Sequence, residues 1–344
     1  MTQATVPNTT TKSSPIQEVL ALTLGIVQTQ ALRIAAEFGI PDLLKDGPLS
    51  VAELARETKS HPTALGRVMD VLAHLGLVVE TRPDVYLCSR TGTLLQTDAP
   101  GSIREYAILM GLECFSRPWA ELGYSVETGD SAFEMTTGKN AYDFFRDNPS
   151  AGNVMHRAME RLSAREGTAI RDAYDVSQYQ HIVDVGGGRG GLIAALLGAS
   201  PEIRGTLFDR PEVIAESRPV LEAADVGERC DVTGGDFLRG VPDGGDLYIA
   251  KRILVDQPDG SARALLRNIH AAMAPGGRVL IADPHPDSTY GKYLDMFMLM
   301  TFGGQLRTAA EIEVLFRETG FELTRMIDTD SPIRLVEGVV AGSH

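Results

Sequence analysis

The chain has 344 residues, room for about two domains. Its 46 acidic residues against 32 basic ones give a net charge of −14 and a pI near 5.0. That sign opposes the phosphate backbone of nucleic acid, which needs a basic face. No run approaches the ~20 apolar residues of a membrane span, so neither nucleic acid nor a membrane is an expected partner. The three cysteines, Cys88, Cys114 and Cys230, are widely spaced. They match no metal-ligand spacing, and their odd number argues against a disulfide framework. No metal is expected, and a reducing, cytoplasmic compartment is the simplest reading.

Residues 1–15 are rich in Thr, Ser and Gln and read as a disordered tail. Ile16 to Leu44 then form one long helical pattern, with Leu20, Leu22, Leu24, Ile26, Val27, Leu32, Ile34 and Ala35 spread over more than one face. A helix apolar nearly all round is covered on several sides, either by its own domain or by a second subunit. Next come Leu49–Ala55, where Ser50 and Glu53 fit a capping box, and a helix from Pro62 through Leu75. Two short strands follow, Leu77–Glu80 and Val85–Cys88, around Arg82-Pro83-Asp84. Helix, turn, helix, hairpin is a winged-helix pattern. The region corresponding to a recognition helix carries only Arg67 as a cation, with Asp70 close behind, which favours a dimerisation module over DNA binding.

Residues 101–168 are helical and irregular by turns. They hold Trp119, Tyr142 and the set Met155, His156 and Met159 on one helical face. Such residues line either a core or a pocket between domains. From Tyr179 onward strands and helices alternate, which predicts a parallel sheet covered on both faces. The strands marked are 181–185, 205–208, 230–232, 247–250 and 278–282, with a terminal antiparallel pair, 321–327 and 333–340, closing one edge.

The stretch Asp184-Val185-Gly186-Gly187-Gly188-Arg189-Gly190-Gly191 joins a short apolar strand to an apolar helix. In that context glycines permit a tight turn and close approach of a ligand. Gly186, Gly188 and Gly191 fit G-x-G-x-x-G, and Asp209 ends the next strand, an arrangement that suits the ribose of a dinucleotide or of S-adenosylmethionine (SAM). Three features favour SAM: Asp184 two residues before the first glycine, the turn Gly235-Asp236-Phe237 with an aromatic residue placed to pack on adenine, and Met273–Ile281 as helix end, turn and buried strand.

With these motifs the chain resembles the SAM-dependent methyltransferases of small aromatic molecules, the group that includes caffeic-acid-type and actinobacterial polyketide-tailoring enzymes. The resemblance rests also on Phe208-Asp209-Arg210-Pro211, Lys251-Arg252-Ile253-Leu254, Pro275-Gly276-Gly277 and Gly303-Gly304-Gln305-Leu306-Arg307-Thr308. It implies an α/β chain: a Rossmann-like domain with a seven-stranded sheet, preceded by an α-helical winged-helix dimerisation domain. The expected division is a tail at 1–15, a dimerisation domain at 16–100, a helical linker lining the substrate pocket at 101–168 and a SAM-binding domain at 169–344. The resemblance also implies a homodimer and a small aromatic substrate. It assigns Asp184, Gly186, Gly188, Asp209, Asp236, Phe237 and Lys251 to the cofactor. Trp119, Tyr142, Met155, His156, Met159, Val255 and Met298 are assigned to the substrate pocket.

The chain departs from the group's pattern at three places. Where related enzymes carry a proton-accepting histidine it has Val255, where they carry a glutamate in the Gly-Gly-x-Glu-Arg-Thr stretch it has Leu306, and a further glutamate after the fifth strand is Asp283. Valine accepts no proton, so the expected reaction is O- or C-methylation by proximity and orientation. Asp256, His156 and His285 are the candidate substitute bases. The alternatives are a SAM-binding tailoring enzyme that does not methylate and a winged-helix regulator.

Overall fold

The computed structural model describes residues 14–342. Residues 1–13 of the expected tail lie outside the described residues. Ser14 and Pro15 already belong to structure: the Ser14 hydroxyl accepts from the Gln17 amide and the Gln17 side chain accepts from the Ser14 amide, a capping box that opens the helix Pro15–Thr23. The chain divides into two compact units between Leu112 and Glu113.

In the first unit, the single long helix expected over 16–44 is three helices, Pro15–Thr23, Gly25–Glu37 and Ile40–Leu43. The first break falls at Leu24, which leaves helical geometry just before Gly25, and the axis bends by 48°. The second falls at Gly39, whose φ of +65° only glycine adopts freely, just before Pro41. No single helix among the described residues is long and apolar enough to cross a membrane, although the first two pass that test as a bent pair. The helices Val51–Thr58 and Pro62–His74 follow, the first opened by the expected Ser50–Glu53 capping box. Strands β1 (Leu49–Ser50), β2 (Val78–Arg82) and β3 (Val85–Cys88) form a small antiparallel sheet in the order β1-β3-β2. Leu54, Leu65, Met69, Leu72, Val78 and Tyr86 close the core beneath it. Asp70, which offsets the lone Arg67, accepts a 2.9 Å hydrogen bond from the buried Tyr86 hydroxyl and ties the hairpin to the helix.

The second unit opens with short helices between Glu113 and Asp147 and the long helix Pro149–Ala173, which runs through the boundary expected at 168. Seven strands follow: β4 (His181–Val185), β5 (Arg204–Asp209), β6 (Cys230–Gly234), β7 (Leu247–Lys251), β8 (Arg278–Pro284), β9 (Phe321–Asp328) and β10 (Ile333–Val340). Their order is β6-β5-β4-β7-β8-β10-β9. β4 to β8 pair in parallel, and the last two form the expected antiparallel edge, with β10 lying between β8 and β9.

The central strands β4, β7 and β8 are buried on both faces, and the side-chain alternation of a strand shows how. Ile182, Leu247, Ile249 and Leu280 join one core with the helix Gly191–Ala199. Their neighbours Val183, Tyr248, Ala250 and Ile281 join the opposite core with the helices Asp259–Ala272 and Ala309–Glu318. Because the chain runs β4, β5, β6 to one side and then returns to β7 and β8 on the other, strand order reverses between β4 and β7. The carboxyl ends of five parallel strands open at one edge, and in such sheets ligands sit there, at the reversal.

Candidate active site

The glycine turn after β4 lies at that reversal. Gly186, Gly188 and Gly190 have φ of +70°, +61° and +86°, a left-handed run that side chains resist. A Cβ on Gly186 would collide with the Ile253 side chain, so the loops after β4 and β7 touch here. A Cβ on Gly188 would meet nothing within 4 Å, so that backbone is open to a ligand. Asp209, half-buried at the end of β5, accepts the Gly188 amide at 2.8 Å on one oxygen and the Arg210 amide at 2.7 Å on the other. Each oxygen keeps a lone pair for a hydroxyl donor. Asp236 is exposed and accepts the Leu238 amide, and Phe237 is half-buried against the second core.

Asp184 lies near the end of β4, under the glycine turn. It is 1% exposed, packed beneath Gly187, where a Cβ would lie 2.6 Å from its carboxyl. Neither oxygen has a hydrogen-bond partner of good geometry. Burial pushes its pKa up to about 7, against the opposing pull of Lys251. A turn open at Gly188, a carboxylate with lone pairs to spare at the end of β5 and an orphaned carboxylate under the loop fit a ligand with ribose hydroxyls and positive charge, as SAM is.

Lys251 ends β7, and its ammonium donates to Ser163 Oγ at 2.9 Å and Glu166 Oε2 at 3.5 Å. Arg252 follows at φ +56°, a costly conformation for a non-glycine residue, and donates twice from Nε to Glu166 at 3.0 Å and once from Nη2 at 2.6 Å. Glu166 is thus the anchor of the β7 loop. No sequence motif marks it, because it lies mid-helix far from the motif it supports.

Val255 and Leu306, the two apolar departures from the group's pattern, lie together. Val255 (2% exposed) and Leu306 (5%) pack in one apolar cluster with Leu294 and Met298. The Val255 amide donates to Asp283 Oδ2 at 3.0 Å, leaving Asp283 Oδ1 without a partner. Burial first, then the Asp256 charge, push Asp283 to about 7. The buried Arg307 clamps this loop, donating to the carbonyls of Leu254 at 2.5 Å and Gln257 at 2.7 Å and to Asp259 at 2.9 Å. Gly304 allows the approach: a Cβ there would lie 2.5 Å from the Val255 carbonyl.

The three candidate bases fare differently. His156 is exposed on the long helix, while Met155 and Met159 beside it are half-buried. His285 is half-buried, with Nδ1 3.5 Å from Asp287 and no hydrogen bond there. Asp256 accepts a 2.7 Å hydrogen bond from the Tyr142 hydroxyl. Lack of solvent raises Asp256 to about 6, though Tyr142 and Arg252 pull the other way. The Tyr142 ring is 46% exposed, lies 5.5 Å from Phe302 and carries the Arg210 guanidinium 5.4 Å above its centre. Trp119, 36% exposed, borders Phe297, which in turn packs 5.1 Å from Phe115. Aromatic surface and one carboxylate therefore adjoin the Val255 cluster.

Comparison with known proteins agrees with this arrangement. Residues 119–322 match the O-methyltransferase domain family, and residues 20–98 match the O-methyltransferase dimerisation domain. The chain is 37% identical to a phenazine O-methyltransferase of Lysobacter antibioticus over 93% of its own length and 94% of the relative's. It is 32% identical to the mitomycin biosynthesis 6-O-methyltransferase of Streptomyces lavendulae, over 96% of each. Among solved structures, a calicheamicin-biosynthesis methyltransferase bound to S-adenosylhomocysteine (SAH) matches at a TM-score of 0.86 and 34% identity, covering 96% of this chain and 100% of that one. With a glycine turn, a ribose-suited aspartate and a seven-stranded sheet closed by an antiparallel pair, the chain belongs to the O-methyltransferase family and is a SAM-dependent methyltransferase.

Proposed function

We propose that the enzyme methylates an oxygen or carbon of a small aromatic metabolite of polyketide type, without a histidine base, and that it works as a homodimer. The observation that carries this reading is the apolar filling of the base position, with Val255 and Leu306 packed on Leu294 and Met298. Relatives named as a phenazine O-methyltransferase and a mitomycin biosynthesis O-methyltransferase support a small aromatic metabolite as the substrate.

SAM, when bound, supplies a methyl group already activated by its sulfonium. This chain's residues hold and align the reactants. The Asp209 carboxylate would accept hydrogen bonds from the ribose hydroxyls, Gly186 and Gly188 would admit the methionine portion, Asp236 and Phe237 would flank the adenine, and Lys251 would border it. Trp119, Tyr142, Met155, Met159 and Met298 enclose the aromatic acceptor. Alignment of this kind supplies roughly 7–11 kcal/mol of a barrier, enough for an acceptor that ionises readily.

A mass-spectrometric screen of aromatic polyketides incubated with enzyme and SAM tests the activity: a gain of one methylene unit together with SAH is the expected result, and oxygen gain or carbon dioxide loss in its place refutes it. For the cofactor site, Asp209→Ala should weaken SAM binding by about 1–3 kcal/mol in calorimetry, the range for charge-assisted hydrogen bonds. An unchanged affinity refutes that assignment.

The dimer rests on the first two helices. Ile16, Val19, Leu20, Leu22, Leu24 and Ile26 are each more than half exposed, an apolar surface that monomers rarely leave in water. Light scattering at micromolar concentration should give twice the chain mass, and Leu20→Glu with Leu22→Glu should halve it. A wild-type monomer refutes the assignment.

A further inference from the structure

Alignment lowers the barrier, yet an acceptor hydroxyl must still lose its proton, and the described residues at the base position hold no imidazole. The groups that face this point are few. Asp256 sits one residue beyond Val255, and its carboxylate is met by the Tyr142 hydroxyl at 2.7 Å from the helix Ala141–Asp147. Arg252 approaches from the same loop and Asp283 from the end of β8. Arg307 is committed to the carbonyls of Leu254 and Gln257 and to Asp259. Behind Tyr142 stand Arg210, over its ring, and Asp209.

The Tyr142–Asp256 contact is itself informative. It is a phenol hydroxyl donating to a carboxylate at the rim of the aromatic surface, the same pairing a phenolic acceptor makes with its base. Tyr142 meets only one of the two Asp256 oxygens, so the carboxylate is oriented by one oxygen while the other makes no hydrogen bond to Tyr142.

We propose that Asp256 is the catalytic base for the acceptor hydroxyl and that Tyr142 is the positioning residue that orients its carboxylate. This rests on the reading of the chain as a methyltransferase of hydroxylated aromatics. The acceptor O–H proton passes to Asp256. The oxygen's electron pair forms the new bond to the methyl carbon. The sulfur–methyl bond breaks with its pair returning to sulfur, leaving SAH, and Asp256 then releases the proton to water. Tyr142 also spans the two halves of the site: Arg210 above its ring adjoins the ribose-suited Asp209, while its hydroxyl reaches the base.

The test has a cofactor-free arm and a kinetic arm. In the cofactor-free protein, the Asp256 carboxyl, followed by carbon-13 NMR with Asp256→Asn as the assignment control, should titrate near pH 6. In Tyr142→Phe it should titrate higher, because the hydroxyl that favours its charged form is gone. With SAM saturating and a weakly acidic phenol as acceptor, kcat/KM should fall on an acid limb near the same pH. That limb should move up in Tyr142→Phe and vanish in Asp256→Asn. Asp256→Asn should cost ~10²–10⁴ in kcat with the weak phenol, the range for losing a general base, and far less with a strongly acidic one.

Equal losses with both acceptors overturn the proposal, since a merely structural role ignores acceptor acidity. An acid limb that persists in Asp256→Asn also overturns it. If wild-type enzyme forms no SAH with any hydroxylated aromatic, the substrate reading fails, while the cofactor-free titration still decides whether Tyr142 controls Asp256.

Discussion

Glu166→Gln removes the one carboxylate that holds both cations at the end of β7. Its side chain is 3% exposed, and those of Lys251 and Arg252 are 11% and 19% exposed. Removing one partner of a buried ion pair costs about 3–5 kcal/mol, because the opposite charge is left in a dry site. Lys251 keeps Ser163 at 2.9 Å and Arg252 retains some solvent, which places the loss near the lower end, about 3 kcal/mol. At roughly 2–4 °C per kcal/mol for a unit of this size, the melting temperature should drop by about 6–12 °C. Thermal unfolding followed by circular dichroism measures it. Adding Arg252→Met to the variant should cost less than the sum of the two single losses, since each removes one partner of the same pair.

The pH dependence has a definite sign. Burial pushes Glu166 up, but Arg252 and Lys251 outweigh it and hold the group below its ordinary 4.5. Its contribution is present above the unfolded value and lost as pH falls through the folded one, so the gap between wild type and Glu166→Gln should close in acid. A loss under about 1 kcal/mol at neutral pH, or strict additivity with Arg252→Met, refutes the role of Glu166 as anchor.

Two further outcomes follow from the same geometry. His156→Gln and His285→Gln should each reduce kcat by less than the ~10²–10⁴ expected for a general base, and a collapse in either, with SAM affinity and fold intact, refutes the assignment of the proton to a carboxylate. Asp184 and Asp283, both raised to about 7 by burial, bind protons in the folded chain that the unfolded chain releases nearer ~4. The cofactor-free enzyme should therefore gain stability as pH falls from about 8 to about 5.5, and Asp184→Asn and Asp283→Asn should each flatten that slope; a stability that rises with pH across this window refutes it.

What was legible in the sequence was local. The apolar runs of β4, β7 and β8 and the glycine turn between strand and helix place the strands of the sheet. The capping box at Ser50 and Glu53 fixes a helix start. The single long helix at 16–44 misled because hydropathy carries through Leu24 and Gly39, where backbone dihedrals break it. What was not legible lies between elements. Glu166 meets Lys251 across 85 residues, and Tyr142 meets Asp256 across 114, with no periodicity to connect either pair. Asp184 was placed correctly on its strand, but its burial beneath Gly187 depends on how the turn folds back over it.

The departures at Val255, Leu306 and Asp283 make physical sense only together. A histidine replaced by valine beside an unchanged glutamate would leave a buried carboxylate with no cation or donor, at a cost of several kcal/mol. Leu306 places an apolar side chain in the same cluster as Val255, so no such charge is left there. Asp283 retains a carboxylate because it acts on the backbone instead, accepting the Val255 amide and fixing the loop on which Asp256 is carried. The loop is held from below by Asp283, from one side by Glu166 through Arg252, and from the other by Arg307. The group this loop presents next to Val255 is a carboxylate already engaged with the Tyr142 phenol.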